Sequence, residues 1–380
     1  MSLADELAAT ERTKLSLGKI ADMLERQGID LAEIGTVKRV SLYQTLTKNA
    51  DGDAETHDLA AIQFSPAWAD GPQWPVIVQA PAVKMPVRTV KPRSADGWRV
   101  AVILPDIQIG YYRDVDGTLQ PTHDEQALAV AMAITRSINP DEVVLLGDNL
   151  DLPEMSKYRH TPAFAQTTQA SINRATVLAA QVCDAAPNAR RRWLAGNHEE
   201  RLPNFLLDNA KAAFGLRRGG TPDAWPVMSV PHLCRFDDAG MEYVPGYPAG
   251  HLWLNERLKV IHGTKAKSNA STAHAYLATE KVSVLFGHIH RREWAERTRD
   301  DWDGPKTIMA ASPGCLARVD GAVPSTKGGN DLDGRPMTVA EDWQQGIGVV
   351  RYEVDGDHRF FYEQVAIHGG TAMYHGKVFA

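Results

Sequence analysis

Short apolar runs alternating with helical stretches predict a layered α/β fold for this chain. Three observations carry that prediction. Between residues 98 and 195 the order is strand, helix, strand, helix, strand, a rhythm that builds a sheet covered by helices. Each of those strands ends in a polar cluster, at the edge where open α/β sheets bind ligands. Near the C-terminus, apolar runs over 347–354 and 360–365 flank Asp355-Gly356-Asp357, a turn sequence suited to a closing hairpin.

The 380 residues have room for one large domain and a smaller unit, and 43% hydrophobic with 23% charged residues is ordinary for a globular chain. A formal charge of −6 supplies no global basic field, so any nucleic-acid contact has to be local. Bound metal ions would add positive charge that this formula omits. Cys183, Cys234 and Cys315 are widely spaced and form no C-x-x-C pair, which points to a reducing compartment. The first residues lack a signal-peptide apolar core, and no run is long enough to span a bilayer. The expectation is a soluble cytoplasmic protein.

In chain order, residues 3–27 have a helical pattern with Leu17, Ile20 and Leu24 on one face and Gly28 as the stop. Asp30 and Glu33 fit a capping box opening a short second helix. Val40, Leu42 and Leu46, a turn over 49–53, and Leu59, Ile62 and Phe64 read as a hairpin. This unit, residues 1–64, is compatible with a winged-helix DNA-binding element through Lys14, Lys19, Arg26, Lys38 and Arg39, and equally with packing or homo-oligomerisation. Prolines 66, 72, 75, 81, 86 and 92 make residues 65–96 an extended connector. The main domain is expected over 97–368, with 369–380 as a C-terminal tail.

That domain opens with a strand over 98–104, followed by Asp106 and Gln108. Asp124 is positioned to cap a helix ending at Ile138. The β-branched run from Val143 leads to Gly147, Asp148 and Asp151. A helix over about 169–185 precedes a strand over 192–195 and Gly196-Asn197-His198-Glu199. A long stretch over 202–251 is read as an irregular cap or rim. Strands over 258–261 and 282–286 then end in His262-Gly263 and Gly287-His288-Ile289-His290, followed by Ser312-Pro313-Gly314-Cys315.

A single strand-end Asp or His is usually a turn or solvated residue. Five such clusters, each immediately after an apolar run, form a pattern that accident does not produce. Mixed Asp, Asn, Gln and His donors suit borderline-hard divalent ions such as Mn²⁺, Fe²⁺ or Zn²⁺. The ordered set D-x-Q, G-D-x-x-D, G-N-H-E, H-G and G-H-x-H resembles the calcineurin-like metallophosphoesterase superfamily over roughly residues 98–365. Within that superfamily it is most similar to DNA-repair-type nucleases and phage-encoded members, which would place the protein in a host cytoplasm.

The resemblance implies a metallophosphoesterase-type β-sandwich flanked by helices, and two divalent ions, Mn²⁺ first, with Fe²⁺, Zn²⁺, Ni²⁺ or Mg²⁺ as alternatives. It implies that Asp106, Gln108 and His290 hold one ion, that Asn197, His262 and His288 hold the other, and that Asp148 bridges them. His198 takes the catalytic position, oriented by Asp151. A metal-bridged hydroxide would attack a phosphodiester. Most members carry histidine where Gln108 stands, so the first ion should be held more loosely here. Protein phosphatases of the superfamily carry arginine after G-D-x-x-D, and Leu152 in that place argues against that substrate class.

DNA is therefore the leading expected substrate, with nucleotides or cyclic nucleotides as the alternative and a catalytically weak metal-binding adaptor as the rival class. Arg201 and Arg291 beside the motifs suit phosphate contact, or pairing with acids such as Glu200 and Glu293. Tyr111, after the first motif, suits stacking on a base.

Overall fold

The computed structural model describes residues 34–48, 52–66, 97–157, 161–302, 304–323 and 341–380, with a few isolated positions elsewhere. The first helix and the Pro-rich connector expected from the sequence lie outside these residues. The chain divides into two units, residues 1–80 and 81–380.

In the first unit, β1 (Ile34–Lys48) pairs antiparallel with β2 (Ala54–Pro66). The hairpin expected from Val40, Leu42, Ile62 and Phe64 is present and longer than the apolar alternation indicated. Its first strand begins at Ile34, and the start of the short second helix read after Asp30 lies outside the described residues. The β-branched Val37 and Val40 favour the extended chain there.

The second unit is built on two sheets. In chain order its elements are β3 (Trp98–Leu104), β4 (Tyr111–Arg113), β5 (Leu119–Pro121), α1 (Glu125–Ile138), β6 (Glu142–Leu145), α2 (Thr168–Ala185) and β7 (Arg190–Leu194). There follow α3 (Arg201–Asn209), α4 (Val230–Leu233), α5 (Phe236–Ala239), β8 (Met241–Val244), β9 (His251–Asn255), β10 (Leu258–Ile261), α6 (Thr272–Thr279) and β11 (Ser283–Phe286). The chain ends with β12 (Arg292–Asp301), β13 (Gly304–Pro313), β14 (Gly346–Glu353), β15 (Phe360–His368), β16 (Thr371–Tyr374) and β17 (Lys377–Phe379).

One sheet has eight strands in the order β17-β16-β15-β14-β3-β6-β7-β8, and the other has five in the order β12-β13-β11-β10-β9. Strands β3, β6, β7 and β8 run parallel, as do β10, β11 and β13.

Period-two alternation divides each central strand between two cores. From β3 and β6, Ala101, Ile103 and Val144 face Leu258, Val260, Leu285 and Met309 of the other sheet. The alternate residues Val102, Leu104, Val143 and Leu145 pack on Leu128, Ala131, Leu178 and Val182 of α1 and α2. On the far side of the five-stranded sheet, Val284 and Phe286 pack on Ala273, Tyr276 and Leu277 of α6. The result is a sandwich of two sheets with helices outside, as the sequence predicted.

Helix α1 starts where Asp124 accepts hydrogen bonds from Gln126 N and Ala127 N, and ends at Asn139 in the left-handed region. Two expectations are corrected. The stretch over 202–251 is not merely irregular: it supplies α3, α4, α5 and the edge strand β8, because Leu206, Val230, Cys234, Phe236 and Met241 reach the core. The final residues are not a tail. Strands β16 and β17 extend the large sheet, with Ala372 and Tyr374 buried. Among the described residues, no helix is long and apolar enough to cross a membrane.

At the edge of the inter-sheet core, Arg192 forms a buried ion pair with Glu142, whose other oxygen accepts from Tyr352 Oη at 3.2 Å. Burial pushes the Glu142 carboxyl up, against the pull of the Arg192 guanidinium. Replacing the cation by an apolar side chain of similar length, Arg192→Met, strands that carboxylate. The expected cost is about 3–5 kcal/mol of stability, measured by the shift in the urea unfolding midpoint.

Candidate metal centre

The carboxyl ends of β3, β6, β7, β10 and β11 converge, and each delivers the residues that the sequence placed there. Asp106, Gln108, Asp148, His288 and His290 all have positive φ (40°, 55°, 47°, 72° and 56°). For side-chain-bearing residues that conformation costs on the order of 1 kcal/mol or more each, and it persists only where the surroundings over-determine it.

Backbone ties between the loops supply that constraint. Gln108 N donates to Asp148 O at 2.9 Å, Ile109 N to Asn149 O at 2.8 Å, and Asp151 N to Ile109 O at 2.8 Å. Gly287 N donates to His262 O at 2.8 Å and Gln344 N to His290 O at 2.9 Å. The segment after Pro313 passes under the first loop, where Leu316 N donates to Asp106 O at 3.2 Å.

Two groups of side chains present donor atoms close enough to share an ion: Asp148 with His262 and His288, and Asp106 with Asp148 and His290. Asp148 belongs to both. Its Oδ1 accepts from His198 N at 2.9 Å, and its Oδ2 lies 3.3 Å from His262 Nε2. Asn197 Oδ1 sits 3.2 Å from His262 Nε2 and 3.0 Å from His288 Nδ1, completing the first group. In the second, His290 Nε2 is 3.3 Å from Asp106 Oδ1.

The amide nitrogen of Gln108 lies 3.4 Å from both Asp148 Oδ2 and His290 Nε2, while its Oε1 is buried without a hydrogen-bond partner. A half-turn of that amide brings Oε1 into the donor group. Once turned, a carbonyl oxygen beside the Asp148 carboxylate and His290 suits a divalent cation, which would satisfy an oxygen that is otherwise buried without a partner.

Three glycines leave the space these donors occupy. A Cβ on Gly196 would lie 2.2 Å from Asp148 Oδ1, one on Gly287 2.6 Å from Asp106 Oδ2, and one on Gly147 2.5 Å from His262 Nδ1. Only glycine permits so close an approach.

Burial opposes the charge on Asp148, but the His198 and His262 imidazoles outweigh it and hold the carboxyl well below the usual range. Burial likewise works against the charge on His262, yet the Asp148 carboxylate raises its pKa to about 10. His288 is pushed down, by burial first and then by His262. The site is therefore strongly polarised around one aspartate.

His198 is buried, with Nδ1 3.1 Å from Asp151 Oδ1 and Nε2 3.6 Å from Asp148 Oδ2. Asp151 lies next to it as the sequence anticipated. Arg201 is not a free cation. Its Nη1 is bonded to Asp151 Oδ1, and its Nη2 donates to His198 Nε2 at 2.9 Å. Burial tends to raise the Asp151 pKa, but the Arg201 guanidinium and the His198 imidazole bring it down.

Arg291 is also engaged, through Glu293 Oε1 at 3.1 Å and the Lys267 carbonyl at 2.6 Å, the acid-paired alternative rather than phosphate contact. Tyr111 stands edge-on to His123, with ring centroids 5.4 Å apart, and is half-buried.

Glu199, uninformative in the sequence, is the residue that the motif reading missed. Its fully buried carboxylate accepts from Asp148 N (3.0 Å), Asn149 N (2.9 Å), Leu150 N (3.2 Å), Gly196 N (2.7 Å) and Trp193 Nε1 (3.2 Å). Burial and the nearby Asp148 charge raise its pKa, while the Gly196 amide lowers it. Two aromatic rings pack against candidate donors: Trp343 meets His290 at 4.0 Å and Tyr247 meets His262 at 5.7 Å, between centroids.

Glu199→Gln puts an amide NH₂ against donors. About 1–3 kcal/mol of stability should be lost, with a parallel loss of Mn²⁺ affinity by calorimetric titration. Gly196→Ala should weaken Mn²⁺ binding at least as much, because its methyl group displaces the Asp148 carboxylate itself. Mn²⁺ binding by Gly196→Ala at wild-type affinity would show that Asp148 is not a ligand.

No family model matches the chain. It is similar to the gene 54 proteins of Mycobacterium phages D29 and L5, at 24% identity over 272 and 276 residues, 70% of this chain and 96% of each relative. A solved structure of the Escherichia coli phosphoesterase YfcE matches with a TM-score of 0.27 and 12% identity, covering 70% of this chain and 98% of that one. That score is too low to bear on the architecture, which stands on the strand order and core described above.

Proposed function

We propose that the protein is a dinuclear metal-dependent phosphoesterase acting on phosphodiesters. The observation that carries this reading is the pair of donor groups sharing Asp148, set beside a buried His198–Asp151 pair. Asp106, Gln108 and His290 would hold one ion and Asn197, His262 and His288 the other. When bound, such a pair of ions clamps a phosphate and lowers the pKa of a water between them.

The chain's own contribution lies around His198. Arg201 Nη2 donates to Nε2, so Nε2 carries the lone pair and the imidazole proton sits on Nδ1, facing Asp151. Asp151 fixes the ring and stabilises it when protonated. A phosphate entering beside Asp148 would draw the Arg201 guanidinium towards its own oxygens. Nε2 is then free to take up a proton and deliver it to the departing ester oxygen. Arg201 thus has a role beside the phosphate even though its resting partners are protein groups.

DNA was the leading substrate expected from the sequence, and it remains the first to test. Its local support is thinner than the motifs implied, since Arg291 is committed to Glu293 and Arg201 to Asp151. Nucleotides and cyclic nucleotides are the alternative. The adaptor reading is disfavoured because a scaffold has no reason to bury His198, Asp151 and Asp148 together.

Incubation of Mn²⁺-loaded protein with single- and double-stranded DNA, a cyclic nucleotide and bis(p-nitrophenyl) phosphate separates these classes. Hydrolysis of the chromogenic diester is expected, with loss in EDTA and recovery on adding Mn²⁺. His198→Ala should lower kcat by roughly 10²–10⁴-fold while metal content, read by mass spectrometry of the dialysed protein, persists. Unchanged turnover in that variant removes His198 from the mechanism. Asp148→Asn should lose both ions and Gln108→His should tighten one, the two distinguished by metal stoichiometry.

A further inference from the structure

Two aromatic residues stand at opposite ends of the metal centre, one beside a donor from each group. In the large sheet β3, β6 and β7 lie side by side, and Asp106, Gln108, Asp148 and Asn197 follow them at the rim. Their neighbours on either side are β14 and β8. Strand β8 runs parallel to β7, so Tyr247, three residues beyond its end, falls at that rim. Strand β14 runs antiparallel to β3, so Trp343, three residues before its start, falls at the same rim.

Both side chains reach across to the other sheet. Tyr247 packs against His262, which follows β10, with ring centroids 5.7 Å apart. Trp343 packs against His290, which follows β11, at 4.0 Å. His262 shares its donor group with Asp148 and His288, whereas His290 shares the other with Asp106 and Asp148. Backbone bonds hold both segments in place. Ala195 N donates to Val244 O at 2.9 Å and Gly250 N to Gly246 O at 2.7 Å, which sets the Tyr247 turn beside the G-N-H-E turn. Gln344 N donates to His290 O at 2.9 Å, next to Trp343.

Neither ring is absorbed by the core. Trp343 leans on the small cluster of Cys315, Ala317 and Val323, yet both residues are only half-buried. The Tyr247 hydroxyl and the Trp343 indole N–H have no hydrogen-bond partner among the described residues, and both atoms stay open to solvent. Each ring therefore touches a metal donor and still has surface and a polar hydrogen to offer.

We infer that Tyr247 and Trp343 hold the two groups esterified to the phosphate, one at each end of the centre, and that both groups carry a flat ring. The inference rests on the phosphoesterase reading and specifies its substrate class. A phosphodiester has two arms that diverge from the phosphorus, and the centre has two aromatic ends; a monoester would leave one of them unused. Aromatic faces favour a flat ring over an alkyl arm by stacking. The open O–H and N–H can donate to acceptors on that ring's edge.

The test titrates the full chain, in excess Mn²⁺, with diphenyl phosphate, methyl phenyl phosphate and dimethyl phosphate by calorimetry. The three share one anionic phosphodiester, carry two rings, one or none, and lack an activated leaving group. Each ring should tighten binding about tenfold, so diphenyl phosphate should bind roughly a hundredfold more tightly than dimethyl phosphate. Tyr247→Leu and Trp343→Leu keep apolar bulk against the histidines without a flat face, and each should remove about one factor of ten. Tyr247→Phe and Trp343→Phe retain a ring and should keep most of the preference. Mn²⁺ content, read by mass spectrometry, should be unchanged in all four variants.

Equal binding of the three diesters, alongside hydrolysis of bis(p-nitrophenyl) phosphate, overturns the ring assignment and leaves the phosphoesterase reading intact. A preference that survives both leucine substitutions, or that depends on one residue alone, overturns the two-ended arrangement. Loss of Mn²⁺ from the leucine variants, with the wild-type protein binding the three diesters alike, identifies the rings as props for His262 and His290 and also overturns it. Neither binding nor hydrolysis of any diester overturns the phosphoesterase reading, and this inference falls with it.

Discussion

The site depends on one buried carboxylate that is not itself a candidate ligand. Glu199 gathers the amides of residues 148–150 and of Gly196 onto two oxygens, joining the ends of β6 and β7. A carboxylate buried this deeply is stable only when its oxygens are satisfied, and satisfying them sets the Asp148 loop in its left-handed turn. Asp148 is then fixed by the His198 amide and crowded by Gly196, so the residue common to both donor groups has almost no freedom. The other loops are registered to it through Gln108 N and, on the far sheet, through His262. Positional accuracy at the centre therefore comes from backbone amides meeting one side chain, with the sheet as the frame.

The sandwich provides that frame by splitting its apolar residues. A strand with one buried face would bind its sheet to a single layer. Here β3, β6 and β11 alternate residues into two cores each, so both sheets are clamped on both sides. Parallel strands then deliver their carboxyl ends to one rim, and polar groups can be concentrated there without disturbing the interior. The buried pair Arg192–Glu142 lies near the other ends of β6 and β7, where Tyr352 of β14 closes it off. The charge admitted there is paired.

Much of this was legible in the sequence, for identifiable reasons. The runs ending at Leu104, Leu145 and Phe286 are short, β-branched or bulky, and stopped by polar clusters, so both strand and loop could be read. Asp124 signalled its helix by chemistry alone. The ordered motif set foretold which side chains would meet, since five loops on one rim can converge at only one place.

What was missed lacked a local signal. Strand β12, Arg-Glu-Trp-Ala-Glu-Arg-Thr-Arg-Asp-Asp, buries little beyond Glu293 and Ala295 and reads as a charged loop, yet it pairs with β13 along its length. Strands β8, β16 and β17 are short and gain their order from a neighbour. Glu199 could not be valued because its worth lies in distant amides, and the resting partners of Arg201 and Arg291 were not legible because a sequence shows charges without what they meet.

Those engaged arginines sharpen the chemistry. A centre built from buried groups and already-paired cations has little free positive surface for a long polyanion, so discrimination has to come from elsewhere on the rim. The segment between α3 and β8 packs on the large sheet through Val230, Cys234 and Phe236 and lines a cavity against Glu199 and Glu200. His198 thus sits between Asn197, a candidate metal donor beside His262 and His288, and Glu199, which ties the turn to the Asp148 loop.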